Sequence, residues 1–255
     1  MLNHRLIPCL LLSGGGLVKT VKFARPKYVG DPINAVKIFN EKEVDELILL
    51  DIDATKSGRG PDFGTIEQLA GECFMPVCYG GGIRTADDAR TLFKMGVEKV
   101  ALQTAAIQSP KIIREIADFA GEQAVVVSID IKRNWLGKPK LFNAAGAKPR
   151  HADWRDAIAE AVEYGAGEIL LNAVDRDGVK QGVDEALIRE ASDIASVPLI
   201  AIGGVGSAAD IRAAAQSGAS AIAAGSYFVF HGPHRAVLIT YPTPEELQKL
   251  WNEKA

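Results

Sequence analysis

Short apolar runs alternate along the chain with longer segments in which apolar residues recur every three or four positions. Runs of the first kind are typical of buried β-strands, segments of the second kind are typical of amphipathic helices, and their alternation predicts parallel βα units. Strands are predicted at 6–12, 46–52, 76–79, 99–102, 124–129, 168–172, 198–202 and 221–224. Helices are predicted near 33–43, 63–73, 86–95, 110–119, 153–164, 185–195, 207–217 and 244–253. Eight strands, each followed by a helix, predict an α/β fold, the (β/α)8 TIM barrel.

Length and composition fit one such domain over 1–255. The chain has 255 residues, of which 47% are hydrophobic, enough for a large core. The net charge is −3 and the basic residues are scattered along the sequence, so no nucleic-acid partner is expected. Cys9, Cys73 and Cys78 lack metal-ligand spacing, which favours a reducing, cytoplasmic location without a metal or cofactor. No apolar run reaches the roughly 18 residues of a membrane span, so neither an export signal nor a membrane anchor is expected.

The chain repeats itself at a constant separation of 122 residues. A repeat this long predicts two (βα)4 half-barrels, about 1–122 and 123–255, because solenoid repeats are much shorter. Chance sharing of glycines is the alternative, but nine positions keep one register. The pairs are Asp53 with Asp175, Gly60 with Gly182, Asp62 with Asp184, Gly81 with Gly203, Gly82 with Gly204, Asp88 with Asp210, Arg90 with Arg212, Gly96 with Gly218 and Ala101 with Ala223.

A glycine pair follows one predicted strand in each half. Gly81 and Gly82 come after the third strand, and Gly203 and Gly204 after the seventh. A helix follows each pair, so backbone N–H groups and a helix N-terminus face the barrel mouth twice. We therefore predict two phosphate sites on opposite sides of the mouth, suited to a substrate with a phosphate at each end; an ordinary tight turn is the alternative. Further donors for phosphate are Thr104, Gly225 and Ser226.

Several segments resemble the cyclase subunit of imidazole glycerol phosphate synthase, over residues 1 to about 230. That family is a (β/α)8 barrel that takes ammonia from a partner glutaminase through its core. It uses two aspartates, at the ends of strands one and five, to cleave and cyclise a bis-phosphorylated ribonucleotide. The resemblance implies a heterodimer with a glutaminase and a phosphorylated small-molecule ligand. The segments begin at Arg5, Leu50, Gly80, Thr104, Val125, Gly165 and Asp175.

The catalytic positions implied by this resemblance are only partly retained. The strand-five acid is present as Asp130, but Leu11 stands where the family has the strand-one aspartate. Leucine cannot transfer a proton, and loss of one such group commonly lowers a rate by about 10²–10⁴. Matching mouth positions are Lys19, Asp51, Thr104 and Asp177. Departures from the family are Gln103 for an asparagine, Ala144 or Ala145 for a serine, Asn172 for a threonine and Ile202 for a serine.

Four charged residues begin predicted strands at the opposite end of the barrel. In the resembled family these positions form a salt-bridged gate through which ammonia enters, and Gln123 occupies a position where the family meets the glutaminase. Solvated strand ends are the alternative, because exposed ion pairs contribute little. If the glutaminase docked over these four charges and buried them, they would have to pair with one another. The predicted gate consists of Arg5, Glu46, Lys99 and Glu168.

The segment 232–242 resembles the tail of cyclase-like acetamidino-modification proteins of bacterial surface-polysaccharide clusters. There the barrel works with a glutaminase and an ATP-dependent amidotransferase that converts a sugar N-acetyl group to an acetamidino group. An intact gate below an altered mouth predicts a barrel that receives ammonia and supports this amidation without forming imidazole. An active cyclase of histidine biosynthesis is the alternative, and a sugar-phosphate isomerase is a third hypothesis.

Two further segments carry polar residues near the predicted mouth. The basic stretch 132–150 predicts a hairpin that covers the mouth or contacts an acidic partner, with a solvated hairpin as the alternative. His231 and His234 have a spacing that does not suit a metal pair.

Overall fold

A closed barrel of eight parallel strands forms the centre of the computed structural model, which describes residues 4–232 and 234–252. The strands are β1 (Arg5–Ser13), β2 (Leu47–Asp51), β3 (Val77–Gly80), β4 (Lys99–Leu102), β5 (Val125–Arg133), β6 (Glu168–Ala173), β7 (Leu199–Ile202) and β8 (Ala221–Ala224). Each strand pairs with the next, and β8 pairs with β1 in the register Arg5↔Ala221, which closes the barrel. The predicted (β/α)8 fold is confirmed.

Among the described residues, one helix of at least nine residues follows each barrel strand and packs around the barrel. These helices are α1 (Pro32–Glu41), α2 (Phe63–Glu72), α3 (Ala86–Lys94), α4 (Lys111–Ala120), α5 (Trp154–Glu163), α6 (Glu185–Ile194), α7 (Ala208–Gln216) and α8 (Pro244–Asn252). Thr85 and Asp88 form a capping box at α3, and Ser207 and Asp210 form the equivalent one at α7. None of the helices in the described part of the chain combines the length and apolar character needed to cross a bilayer.

The alternation of side chains along each strand separates an inner apolar layer from an outer one. Outward residues such as Leu10 pack with the helices, including Phe39 of α1. On β1 the inner face presents Ile7 and Cys9. The whole inner cluster consists of Ile7, Cys9, Ile48, Cys78, Ala101, Val126, Leu170, Ile200, Ala221 and Ala223. The interior of the barrel is therefore lined by hydrocarbon and thiol groups.

A β-hairpin that the sequence pattern did not predict follows β1. It consists of Gly16–Val21 and Ala24–Gly30. Its turn residues Lys22 and Phe23 have φ angles of 54° and 61°, a left-handed conformation that is unfavourable for residues other than glycine. Asp177 holds this turn, because Lys22 N donates to its carbonyl and Phe23 N donates to its carboxylate.

The predicted hairpin after strand five is also present, and it meets the first hairpin above the barrel. Here β5 pairs with the short strand Pro139–Leu141. The rings of Phe142 and Phe23 lie 6.1 Å apart, edge to face. After β8 the chain forms a two-stranded ribbon of Phe230–His231 and Ala236–Val237. All three segments extend from the carboxyl ends of barrel strands.

Close backbone contacts recur in the two halves of the barrel. A Cβ atom on Gly82 would lie 2.7 Å from the carbonyl carbon of Gly60, and one on Gly204 would lie 2.1 Å from the oxygen of Gly182. The two contacts are related by the 122-residue repeat, and both exclude a side chain. Single-turn helices also recur, as Thr104–Gln108 and Ser226–Val229.

Candidate functional site

A cavity of about 860 Å³ lies at the carboxyl end of the barrel, the end that carries the active sites of this fold. Loops after β2, β3, β4 and β5 form its walls. The predicted site residues that it brings together are Leu11, Asp51, Gly81, Gly82, Thr104, Asp130, Asn172 and Asp177.

The floor of this cavity is the uppermost layer of inward-facing side chains, and it is polar on one side only. The polar side consists of Gln103, which directly follows β4, and of Asp130 and Asn172 on β5 and β6. The apolar side consists of Leu11, Leu50 and Ile202, from β1, β2 and β7. Leu11 and Leu50 are neighbours across paired strands, and these three side chains pack on the inner cluster of the barrel. Residues 11 and 202 thus extend the apolar interior to the mouth.

Asp130 is buried beneath the cavity and held by two uncharged donors. Gln103 Nε2 donates to Asp130 Oδ2 at 2.5 Å, and Ser128 Oγ donates to Asp130 Oδ1 at 3.1 Å. Burial raises the pKa of Asp130 to about 7; the hydrogen bonds from Ser128 and Gln103 oppose the rise, and the charge of Asp177 adds to it. A carboxyl group with such a pKa can either donate or accept a proton at neutral pH.

Gln103 also connects Asp130 to the loop after the second hairpin. Asn143 Nδ2 donates to Gln103 Oε1 at 3.1 Å and to Thr104 Oγ1 at 2.8 Å. The other end of the Asn143 amide accepts from Ala147 N at 3.0 Å. One side chain therefore ties the loop wall of the cavity to the acid on its floor.

The two other predicted mouth acids are engaged by backbone and loop groups. Asp51 Oδ1 accepts from the N–H groups of Asp53 and Ala54, so this carboxylate orders the loop after β2. Asp177 accepts from Thr20 Oγ1 at 2.7 Å and holds the turn of the first hairpin. Burial raises the pKa of Asp177, and hydrogen bonds from Thr20 and Phe23 oppose the rise. Both residues shape the mouth.

Lys19 belongs to the first hairpin and is buried beside the end of β8. Its Nζ donates to the carbonyl of Cys9 at 2.5 Å, and burial lowers the pKa of the amine, although the charge of Asp177 opposes this. A Cβ atom on Gly225 would lie 2.6 Å from Nζ. Lys19 therefore occupies the side of the mouth on which the second phosphate site is predicted.

The two glycine turns occupy opposite walls, but the space beside them differs. Gly81 and Gly82 line the 860 Å³ cavity together with Thr104. A Cβ atom on Gly81 would lie 2.3 Å from the oxygen of Asp51, so the turn excludes a side chain. The opposite turn lines a cavity of about 40 Å³, formed with Lys19 by Gly203, Gly204, Gly225 and Ser226. Phosphate binding at either turn remains a prediction.

The four predicted gate residues form a closed ring of ion pairs at the amino end of the barrel. Arg5 pairs with Glu46 at 2.5 Å and with Glu168 at 2.8 Å, and Lys99 pairs with the same carboxylates at 3.0 and 3.2 Å. Burial disfavours the Arg5 charge, but Glu168 and Glu46 outweigh it and raise the pKa of Arg5. The side chain of Glu46 is only 3% exposed, so the solvated-end alternative is wrong for this carboxylate.

Sequence reasoning missed several of the polar partners at the mouth. Ser128, Asn143 and Thr20 hold Asp130, Gln103 and Asp177, respectively. Ser128 could have been found, since it precedes Asp130 by two positions on one strand and shares its face. The contact of Asn143 depends on how a loop folds back, which no local pattern reports. Within 4–232 and 234–252, no group of three acidic, histidine or cysteine side chains could hold a metal ion.

Comparisons with known proteins identify the family. The model of the family described as "Histidine biosynthesis protein" matches residues 5–234. A Pseudomonas aeruginosa protein named "Putative imidazole glycerol phosphate synthase subunit hisF2" is 54% identical over 251 residues, covering 97% of this chain and 99% of the relative. A Vibrio vulnificus protein of the same description, hisF3, is 48% identical and covers 98% of this chain and 96% of the relative. The "Imidazole glycerol phosphate synthase subunit HisF" of Exiguobacterium sibiricum is 40% identical, covering 96% of this chain and 95% of the relative.

These names favour the cyclase alternative over the polysaccharide-amidation hypothesis, since each names the synthase subunit and none names a sugar. The predicted resemblance is confirmed at the level of the family. The chain belongs to the histidine biosynthesis protein family and is similar over nearly its whole length to the HisF subunit of imidazole glycerol phosphate synthase.

Proposed function

We propose that the protein is a HisF-like barrel that receives ammonia from a partner glutaminase at the charged ring and releases it at the mouth. There it supports conversion of an N-acetyl to an acetamidino group on a nucleotide sugar, in surface-polysaccharide biosynthesis. The apolar half of the cavity floor carries this proposal. Leu11 and Ile202 lie across from Asp130, so on the cavity floor the carboxyl group faces two hydrocarbon side chains. Acid–base catalysis needs a titratable group within reach of each proton that moves.

The inner face of β6 supports the path proposed for ammonia. Glu168 Oε2 at its lower end and Asn172 Oδ1 at its upper end are buried, and neither receives a hydrogen bond from the described residues. Buried acceptors are normally satisfied, so each can accept an N–H group from a passing molecule. The Leu170 side chain lies between them in the inner cluster. An apolar interior with one acceptor at each end suits neutral ammonia better than ammonium.

The second candidate function is the cyclase subunit of histidine biosynthesis. The names of the relatives favour it, as do the retained Asp130 and the glycine turn at Gly81 and Gly82. Under this function the ligand is a bis-phosphorylated ribonucleotide, and one phosphate would have to enter the smaller cavity beside Lys19.

One assay separates the two functions. The purified barrel, given excess ammonium and the bis-phosphorylated ribonucleotide, is expected to form no imidazole glycerol phosphate above the uncatalysed background. The variant Leu11→Asp is expected to raise that rate above the rate of Leu11→Asn, its uncharged control. Turnover by the unaltered chain at an ordinary enzymatic rate would establish the cyclase and overturn the proposal.

A coupled assay tests the ammonia path. With the glutaminase and the amidotransferase present, Asn172→Leu is expected to lower the ratio of amidated product to glutamine hydrolysed by several fold, because the exit acceptor is removed. Asn172→Thr, which keeps a hydroxyl oxygen, serves as the control. An unchanged ratio in the leucine variant would count against the exit acceptor.

A further inference from the structure

Charge is unevenly distributed between the barrel mouth and the rest of the molecule. The segments 16–30, 131–150 and 230–239 contain four, six and one lysines or arginines, and no aspartate or glutamate. The remaining residues carry eighteen lysines and arginines against all 32 acids. A chain with a net charge of −3 thus concentrates positive charge in three segments that are far apart in sequence.

The fold brings these three segments into contact with one another at the mouth. The first hairpin touches the second through Phe23 and Phe142, whose rings are 6.1 Å apart. The first hairpin touches the segment 230–239, the tail, through Lys27, whose Nζ lies 5.5 Å from the centre of the Phe230 ring. We call this continuous surface the basic rim. Its exposed cations are Lys22, Arg25, Lys27, Lys132, Arg133, Lys138, Lys140, Lys148, Arg150 and Arg235.

Large apolar side chains stand exposed among these cations. Trp135 at the tip of the second hairpin is 90% exposed, and Tyr28 on the first hairpin is 66% exposed. Leu136 beside Trp135 and Leu238 in the tail are also exposed. Exposed apolar groups that cluster within a polar surround mark interaction sites, and tryptophan and tyrosine are the side chains that most often dominate binding energy.

The tip that carries Trp135 is ordered before any partner binds. Asn134 Oδ1 accepts from the N–H groups of Leu136 and Lys138, which fixes the turn. At the strand end next to this turn, Arg133 Nη2 pairs with Asp184 at 2.5 Å. A side chain presented on a fixed turn loses little conformational freedom on binding. The backbone that presents the exposed Trp135 side chain is therefore already ordered for a partner.

We propose that the basic rim docks an acidic surface of the enzyme that consumes the ammonia, an inference that rests on the proposed function. Ammonia that left an open mouth would be protonated in bulk water and would lose its nucleophilic lone pair. Delivery therefore requires the consuming enzyme to cover the mouth, and the rim surrounds that exit. Its positive charge selects a negatively charged partner and speeds encounter, while Trp135 and Tyr28 provide buried anchors.

The same features fit a small phosphorylated ligand less well. Such a ligand would lie within the cavity beside Gly81 and Thr104, whereas Trp135 points outward from a hairpin tip and gains nothing from an anion. Single-stranded nucleic acid shares the preference for cations and exposed rings, so it enters the test as a competing outcome.

The test measures direct binding of the full-length barrel to the ATP-dependent amidotransferase of the proposed function. We expect a complex whose affinity falls steeply between 50 and 300 mM salt, and at least about tenfold in Trp135→Ala and in Lys138→Glu/Lys140→Glu. Phe74→Ala is the control for the aromatic change, because Phe74 is 89% exposed but lies at the amino end of the barrel. Lys94→Glu, at the end of α3, is the control for the charge reversal.

Failure of this proposal is distinguishable from failure of the proposed function. A complex that the rim variants weaken less than twofold places the partner elsewhere and overturns the docking proposal, while amidation by that complex leaves the function intact. Amidation without any measurable complex likewise overturns the docking proposal and leaves the proposed function intact. No complex and no amidation overturns both. Tight, Trp135-dependent binding of a single-stranded oligonucleotide, with no binding of the amidotransferase, identifies the rim as a nucleic-acid surface.

Discussion

Asp130 differs from an exposed carboxylate because its two hydrogen-bond donors, Gln103 and Ser128, are uncharged and it lies in the barrel interior. Burial raises its pKa to about 7 in the folded chain, against about 4 in the unfolded chain. Between these values the folded state holds a proton that the unfolded state releases. The contribution of this group to stability is therefore present below about pH 4, falls as the pH rises to about 7, and stays lost above that.

The variant Asp130→Asn should remove about half of this loss, because the amide is neutral at every pH and has nearly the same shape. We expect it to unfold with a free energy about 2 kcal/mol higher than the unaltered chain at pH 8, and to differ little at pH 4. Urea unfolding at the two pH values measures the difference. Asp118→Asn, an exposed change on α4, is the control. The free energy of unfolding of the variant still depends on pH, because the pKa of Asp177 is also raised. Identical pH profiles for the variant and the unaltered chain would contradict the prediction.

At this scale the sequence predicted the chemical type of the site residues better than their partners. Asp130 and Leu11 were placed at the mouth because each ends a strand whose apolar alternation is easy to recognise. The hydrogen bond from Lys19 to the Cys9 carbonyl was not predictable, since it depends on the first hairpin folding back against β1. Strand ends follow from periodicity, whereas side-chain partners follow from tertiary packing.

At the scale of elements, the eight barrel strands and their helices agree with the sequence pattern to within a few residues. Each strand is a short apolar run buried on both faces, and each helix buries one regular apolar face. The first hairpin escaped prediction for a physical reason. Its outer strand, Ala24–Gly30, is exposed for most of its length and shows no apolar alternation, and its turn contains Lys22 and Phe23 with no glycine. The turn is held by Asp177, which lies more than 150 residues away in the chain.

The loop that follows the second hairpin, residues 142–147, should depend on one side chain for its order. Asn143 is the side chain that joins it to Gln103 and Thr104, so Asn143→Ala should release the loop wall of the cavity. We expect a loss of about 1 kcal/mol in stability and faster amide hydrogen exchange over residues 142–147. Hydrogen exchange with mass spectrometry measures it, with Lys148→Ala, an exposed neighbour, as the control. Equal exchange in both variants would show that the loop is held by its backbone alone.

At the scale of the whole molecule, the barrel has a charged lower end, an apolar interior and a half-polar mouth. On β6 the inner face carries Glu168, Leu170 and Asn172, so this one strand contributes a side chain to each of the three zones. The spacing of two residues makes this possible, because alternate residues of a strand share a face. The same register on β1 runs from Arg5 to Leu11, and there the upper position is apolar. The asymmetry of the mouth is thus a difference between strands at one level of the barrel.

The charged ring at the lower end should behave as one cooperative unit. Lys99→Met leaves Glu46 and Glu168 sharing Arg5 alone, and we expect a loss of about 2 kcal/mol in stability at pH 7, since Glu46 is almost wholly buried. Combining it with Glu168→Gln removes one of the two carboxylates that compete for Arg5. The double variant should therefore be at least about 1 kcal/mol more stable than the sum of the single changes predicts.

Urea unfolding of the four chains of this double-mutant cycle measures the coupling. The exposed pair of Lys37 and Glu72, 3.6 Å apart on α1 and α2, is the matched control, and its cycle should show a coupling near zero because water screens both charges. Additive effects in the ring would contradict the cooperative picture. They would mean that each ion pair forms independently, and that opening one side of the ring for a passing molecule costs no more than breaking a surface pair. A strongly coupled ring instead stays closed unless several of its ion pairs break together.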